Sequence, residues 1–165
     1  MTSDRPSSSD PPTSLLFDVF ALSQAIGRML DAFMADSPLS PAEYALYSAI
    51  FELESVTLST LASRLGMPLT TVIDQVARLE ARGHVSRMQD PSDRRAKRVV
   101  LTAEGLAAHR AANVSFERAY ASFASSLALD ETTASQALRS MRDAVEAATA
   151  AVQASSAMTS AHTAG

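Results

Sequence analysis

The stretch TLSTLASRLGMPLTTVIDQVARLEARG, residues 57–83, encodes two short helices and the turns that bound them. Thr57 puts a hydroxyl where a helix N-cap needs an acceptor, and Gly66 tolerates the left-handed conformation that ends a helix, so residues 58–65 read as one helix. Pro68, at the first position of the next, opens a second. There Val72, Val76 and Leu79 recur at helical spacing, and Gly83 closes the helix with Arg82 in its last, electronegative turn. The other face of this second helix shows Thr70, Thr71, Asp74, Gln75 and Arg78.

On the C-terminal side, residues 84–89 and 98–102 read as two short strands. The connection between them, residues 90–97, is too heavily charged for a tight turn and is expected to project into solvent. On the N-terminal side, Ser40, Pro41 and Glu43 occupy the N-cap, N1 and N3 positions of a capping box, which predicts a helix through about Glu52. Two helices joined by Leu65-Gly66-Met67, the second polar on one face, followed by a hairpin with a basic tip, have the layout of a winged helix-turn-helix. In that layout Thr and Gln side chains on the second helix reach base edges or phosphates in the major groove, and an arginine-bearing loop reaches the adjacent minor groove.

Two long helices flank this centre. Leu15, Val19, Leu22, Ile26, Met29, Leu30 and Phe33 predict a helix from about Ser14 to Ala35, ending before Pro38. Thr102 caps a helix reaching about Leu127, with Leu106, Val114, Phe116, Tyr120 and Phe123 as candidates for burial. Asp130 caps the last helix, where Ala134, Leu138, Met141, Val145, Ala148 and Val152 form a heptad-like stripe. A stripe of this kind needs a partner, and a homodimer covers it most simply. The expected organisation is a disordered tail over 1–13, a helical dimerisation region over 14–38 and 103–152, a winged helix-turn-helix region over 39–102, and a flexible tail over 153–165.

The 165 residues suit one domain, and 47% apolar against 19% charged is enough to build a core. Five glycines, no tryptophan and 5% aromatic residues favour a mainly α fold with an aliphatic core and only a small β-hairpin. The absence of cysteine excludes disulfides, thiolate metal sites and cysteine nucleophiles. Residues 1–13 lack an apolar signal core and Asp18 interrupts the first apolar run, so a cytoplasmic protein without a membrane partner is expected. The net charge of −4 is unevenly placed. Residues 57–102 hold eight bases (Arg64, Arg78, Arg82, Arg87, Arg94, Arg95, Lys97, Arg98) and four acids, a local +4 that leaves −8 for the rest of the chain.

Four ordered segments then become specific: Leu61-Ala62-Ser63-Arg64-Leu65-Gly66, Arg78-Leu79-Glu80-Ala81-Arg82-Gly83, Asp90-Pro91-Ser92-Asp93-Arg94-Arg95 and Leu101-Thr102-Ala103-Glu104-Gly105. Over residues 39–105 they resemble the MarR (multiple antibiotic resistance regulator) family of transcription factors. The resemblance implies a homodimeric repressor on a palindromic double-stranded DNA operator, released by a small, often aromatic, effector. It implies that Arg95 enters the minor groove, that Asp93 braces the wing through an ion pair, and that Arg94 supports the wing or a phosphate. Lys97 joins Thr70, Thr71, Asp74, Gln75, Arg78, Arg94 and Arg95 as a candidate DNA contact. Asp74 departs from the basic or neutral polar side chain that family members often carry. Pairing with Arg78 at i+4 is the expectation here, and acceptance from a cytosine N4 amine the alternative.

The resemblance also implies an effector cleft where the dimer helices meet the DNA-binding region. Phe20, Met29, Tyr44, Tyr47 and Phe51 are its candidate lining, although apolar residues at helical spacing equally make plain core. No catalytic constellation is present: His84, His109 and His162 are dispersed, and no glycine-rich phosphate cradle or nucleophile elbow exists. His109 has no histidine partner at i+3 or i+4 and reads as a lone surface residue, so neither a metal nor a cofactor is expected. A winged-helix module that binds protein is the alternative function. The cluster Arg94, Arg95, Lys97 and Arg98 argues against it.

Overall fold

Capping at Ser40 and Thr57 frames the fold, which we describe from a computed structural model covering residues 14–89 and 97–163, with side chains as far as residue 155. Helix α1 spans Leu15–Phe33 and α2 spans Pro41–Leu53. Ser40 Oγ accepts from the Glu43 N–H and Glu43 Oε2 accepts from the Ser40 N–H, so both halves of the capping box form. Strand β1 (Val56–Thr57) leads directly into α3 (Leu58–Leu65), whose first turn is capped by the Thr57 hydroxyl at 3.2 Å from the Thr60 nitrogen. Gly66 ends α3 at φ 63, and α4 runs Leu69–Ala81.

Strands β2 (Val85–Gln89) and β3 (Lys97–Leu101) pair antiparallel, Val85 opposite Leu101 and Gln89 opposite Lys97. The hairpin acquires a third strand that sequence reading did not anticipate. β1 pairs with β3 through Val56 opposite Val99, giving the order β1-β3-β2. Two residues are too few to show an alternating pattern, and only the tertiary approach of β3 makes them a strand.

The core lies where α2, α3, α4 and the sheet meet. Leu46, Tyr47 and Ile50 from α2 pack with Val56, Leu61, Val72, Val76, Leu79, Val85 and Val99, all buried. Helix α5 (Ala103–Ser126) closes this core with Gly105, His109, Ala112 and Ala119 rather than with the large residues expected. Leu106 and Phe116 are half-buried, and Val114, Tyr120 and Phe123 are exposed. Small side chains at this spacing let α5 approach closely, with Phe116 packed at the edge of the core and Val114 and Tyr120 left exposed.

The chain divides into two units, residues 1–120 and 121–165. In the first, α1 has no buried residue. Leu15, Val19, Leu22 and Ile26 are exposed, while Met29, Leu30 and Phe33 are half-buried. In the second, the Thr133 N–H donates to Asp130 Oδ1 at 2.9 Å and starts α6, Glu131–Thr163. Leu138, Val145 and Val152 on its stripe are exposed. The helix passes residue 152, where small polar residues predict a tail; alanines continue it, and no glycine or proline intervenes before Gly165. The tail expected over residues 1–13 lies outside the described residues. Among the described residues, no helix is long and apolar enough to cross a membrane.

Candidate nucleic-acid interface

Helix α4 is held by its apolar edge. Val72, Val76 and Leu79 sit in the core, and at about 100° per residue the position almost diametrically opposite them is Asp74. Thr70, Ala77, Ala81 and Arg78 surround it, all exposed, whereas Thr71 and Gln75 lie half-buried on the flank. Gln75 Oε1 is buried with no hydrogen-bond partner among the described residues. The expected Asp74–Arg78 pair is not made. Ion pairs form elsewhere instead: Arg64–Glu52 at 2.9 Å between α3 and α2, and, at the C-terminal end of α4, Arg82–Glu43 at 2.5 Å and Arg87–Glu80 at 3.0 Å. An exposed i,i+4 pair gains only a few tenths of a kcal/mol, too little to hold the short Asp74 side chain against the longer Arg78.

Those pairs divide the basic residues by task. Arg82 clamps the C-terminal turn of α4 to Glu43 of the capping box. Burial alone would raise the Glu43 carboxyl, but hydrogen bonds from Ser40 and Arg82 outweigh it and hold the pKa below the ordinary value. Arg87 on β2 ties the hairpin to Glu80 of α4, and Arg98 Nη1 donates to the Ser55 carbonyl at 2.9 Å, fastening β3 beside β1. Arg78 and Lys97 are left exposed, the latter at the start of β3. Asp93, Arg94 and Arg95, named for the wing, lie outside the described residues.

The five aromatic and apolar candidates of the cleft do not form one group. Tyr47 is a core residue, fully buried, with its hydroxyl against His84 Nδ1. Phe20 is exposed on α1 and Met29 half-buried. Tyr44 and Phe51 do converge, but on a residue read as a surface histidine. His109 is 6% exposed, stacked on Tyr44 at 5.3 Å between ring centroids and flanked by Phe51 at 5.0 Å. Its Nε2 lies 3.0 Å from Ser48 Oγ, while its buried Nδ1 has no partner among the described residues. Phe116 stacks on the other side of Tyr44, whose hydroxyl donates to Asn113 Oδ1. The signal for His109 was present in the sequence: it falls four residues after Gly105 and three before Ala112, on the small-residue stripe of α5.

Comparison with known proteins gives the same frame. Residues 39–97 match the model of the MarR family. The HTH-type transcriptional regulator TtmR of Methylorubrum extorquens is 33% identical over 102 residues, 62% of this chain and 51% of that protein. The chain thus spans about half the length of the curated relative it matches. The PcaV transcriptional regulator from Streptomyces coelicolor, solved in complex with its natural ligand, superposes with a TM-score of 0.68 at 29% identity, covering 86% of this chain and 99% of that one. The M. tuberculosis regulator MOSR, solved in complex with DNA, gives a TM-score of 0.71 over 82% of this chain and 98% of its own; at 24% identity that likeness is one of fold.

Proposed function

We propose that the chain is a MarR-family DNA-binding transcriptional regulator, a homodimeric repressor of an inverted-repeat operator that a small aromatic effector releases, a reading supported by the family match over residues 39–97 and by the likeness to TtmR and PcaV. The observation that carries this reading is the exposed face of α4, Thr70, Asp74, Ala77 and Arg78, turned away from the core beside a hairpin whose tip sequence is basic. A helix presented in this way fits a major groove, and Arg94, Arg95 and Lys97 are placed by the sequence to reach the neighbouring backbone and minor groove. PcaV with its ligand and MOSR with its DNA lend the reading their fold.

The dimer is supported by exposed apolar residues on α1 and α6, of a number that a monomer seldom leaves in water. For the effector we favour the boundary of α2 and α5, where the rings of Tyr44, Phe51 and His109 gather beside a buried His109 Nδ1 that has no partner among the described residues. Residues 14–38 and 103–152 supply the dimer contacts and residues 39–102 the DNA-binding region in this assignment.

The test is a gel shift of the full chain on the DNA upstream of its own gene, titrated with salt. Groove binding should lose affinity steeply as salt rises, because each neutralised phosphate releases about one counterion. Retention of the shift with no salt dependence, or no shift at any salt, would overturn the reading and favour a protein-binding winged helix.

A further inference from the structure

We propose that Asp74 reads a cytosine in each half-site, its carboxylate accepting from the N4 amine in the major groove, an inference that rests on the DNA-binding reading and goes beyond it to base identity. The geometry starts from the buried stripe of α4. With Val72, Val76 and Leu79 turned into the core, Asp74 stands at the middle of the face that any groove-entering approach presents first. Of its neighbours there, Thr70, Ala77 and Ala81 are exposed and short, which leaves the backbone of α4 free to approach base edges on that side. Arg78, one turn on, is exposed too, and it forms no ion pair with Asp74.

An acid in this position needs a reason. A carboxylate brought against DNA is repelled by phosphates and loses water, and only a hydrogen-bond donor on a base offsets both. The major groove offers two such donors, cytosine N4 and adenine N6. Adenine sets its N7 lone pair beside the amine, and a carboxylate, which accepts and does not donate, meets that lone pair unfavourably. Cytosine sets a C5–H there. Attraction to the backbone then falls to residues off the centre of α4, such as Arg78 and Lys97, while Asp74 contributes discrimination.

Selection from duplexes with randomised half-sites, using the full chain and its Asp74→Ala and Asp74→Asn variants, tests this directly. Wild type should fix a C·G pair at one position per half-site, and replacing that pair should weaken binding by about tenfold. Asp74→Ala should keep the preferences at the other positions and become indifferent at this one. Asp74→Asn, whose amide both donates and accepts, should move the preference there to adenine. Thermal melting of each variant checks that α4 still packs. The proposal is overturned if Asp74→Ala selects the same cytosine as wild type, or if wild type selects specific sites with no position that responds to residue 74. In that second case the DNA-binding reading stands and Asp74 is a solvated acid; if wild type enriches no duplex at all, both fall.

Discussion

His109 keeps a basic ring inside an aromatic wall between α2 and α5, where burial lowers its pKa and the Glu52 carboxylate opposes that shift only in part. The folded chain therefore refuses a proton that the unfolded chain accepts below about pH 6.5. Stability should be fully present above that pH, fall as the pH drops through the window, and level off once the folded ring also protonates. Chemical denaturation at pH 7.5 and 5.5 should show this loss in wild type and a smaller one in His109→Gln; equal losses in both would remove His109 as its source. Arg95 carries the other residue-scale prediction, which rests on the family resemblance. Arg95→Ala should lower affinity for the specific site by at least about tenfold and reduce the magnitude of the salt slope by about 2, one counterion per subunit of a dimer, with circular dichroism unchanged. An unchanged affinity and slope would mean that the role carried over from the family does not apply to this wing.

Helix α5 depends at its first turn on a missing side chain. A Cβ placed on Gly105 would stand 1.9 Å from the His84 carbonyl oxygen and 2.9 Å from its carbon, and both are backbone atoms that cannot rotate away. That same oxygen accepts from the Thr102 N–H at 3.0 Å, while the Thr102 hydroxyl donates to the Gly83 carbonyl at 2.7 Å and accepts from the Gly105 N–H at 3.1 Å. The start of α5 and the end of α4 thus share one short set of backbone contacts. Gly105→Ala must push the two apart and should destabilise the chain by about 1–3 kcal/mol, read as an earlier urea midpoint, although alanine is the better helix former. A midpoint equal to or above that of wild type would show that α5 rides clear of His84.

For the whole molecule, the exposed apolar residues of α1 and α6 carry the proposed dimer. Leu138 is 54% exposed in the single chain, so Leu138→Glu should leave the chain folded yet split the dimer, because in the assembly it would bury an unpaired carboxylate. Sedimentation should give about twice 17.5 kDa for wild type and about 17.5 kDa for the variant. A wild-type monomer at micromolar concentration would remove the dimer and the inverted repeat with it. Given the dimer, footprints should cover two half-sites roughly 10 base pairs apart, and scrambling one arm should abolish tight binding.

What could be read from the chain alone was whatever is set within a few residues. The Ser40 capping box, the Thr57 and Asp130 caps, the Gly66 stop and the α4 stripe of Val72, Val76 and Leu79 are local, and the structure has each of them. The MarR resemblance was local as well, four short segments in order. What the sequence left open depended on residues far apart meeting in space. β1 exists only because Val99 lies beside Val56, and His109 became a core residue only because the small residues of α5 let it reach Ser48 and Tyr44. Asp74 was parted from Arg78 because an exposed pair is too weak to order two side chains, a balance that spacing alone cannot decide. Local signals select the helices and their ends; close packing, which trades bulk for approach distance, decides which of their faces turn inward.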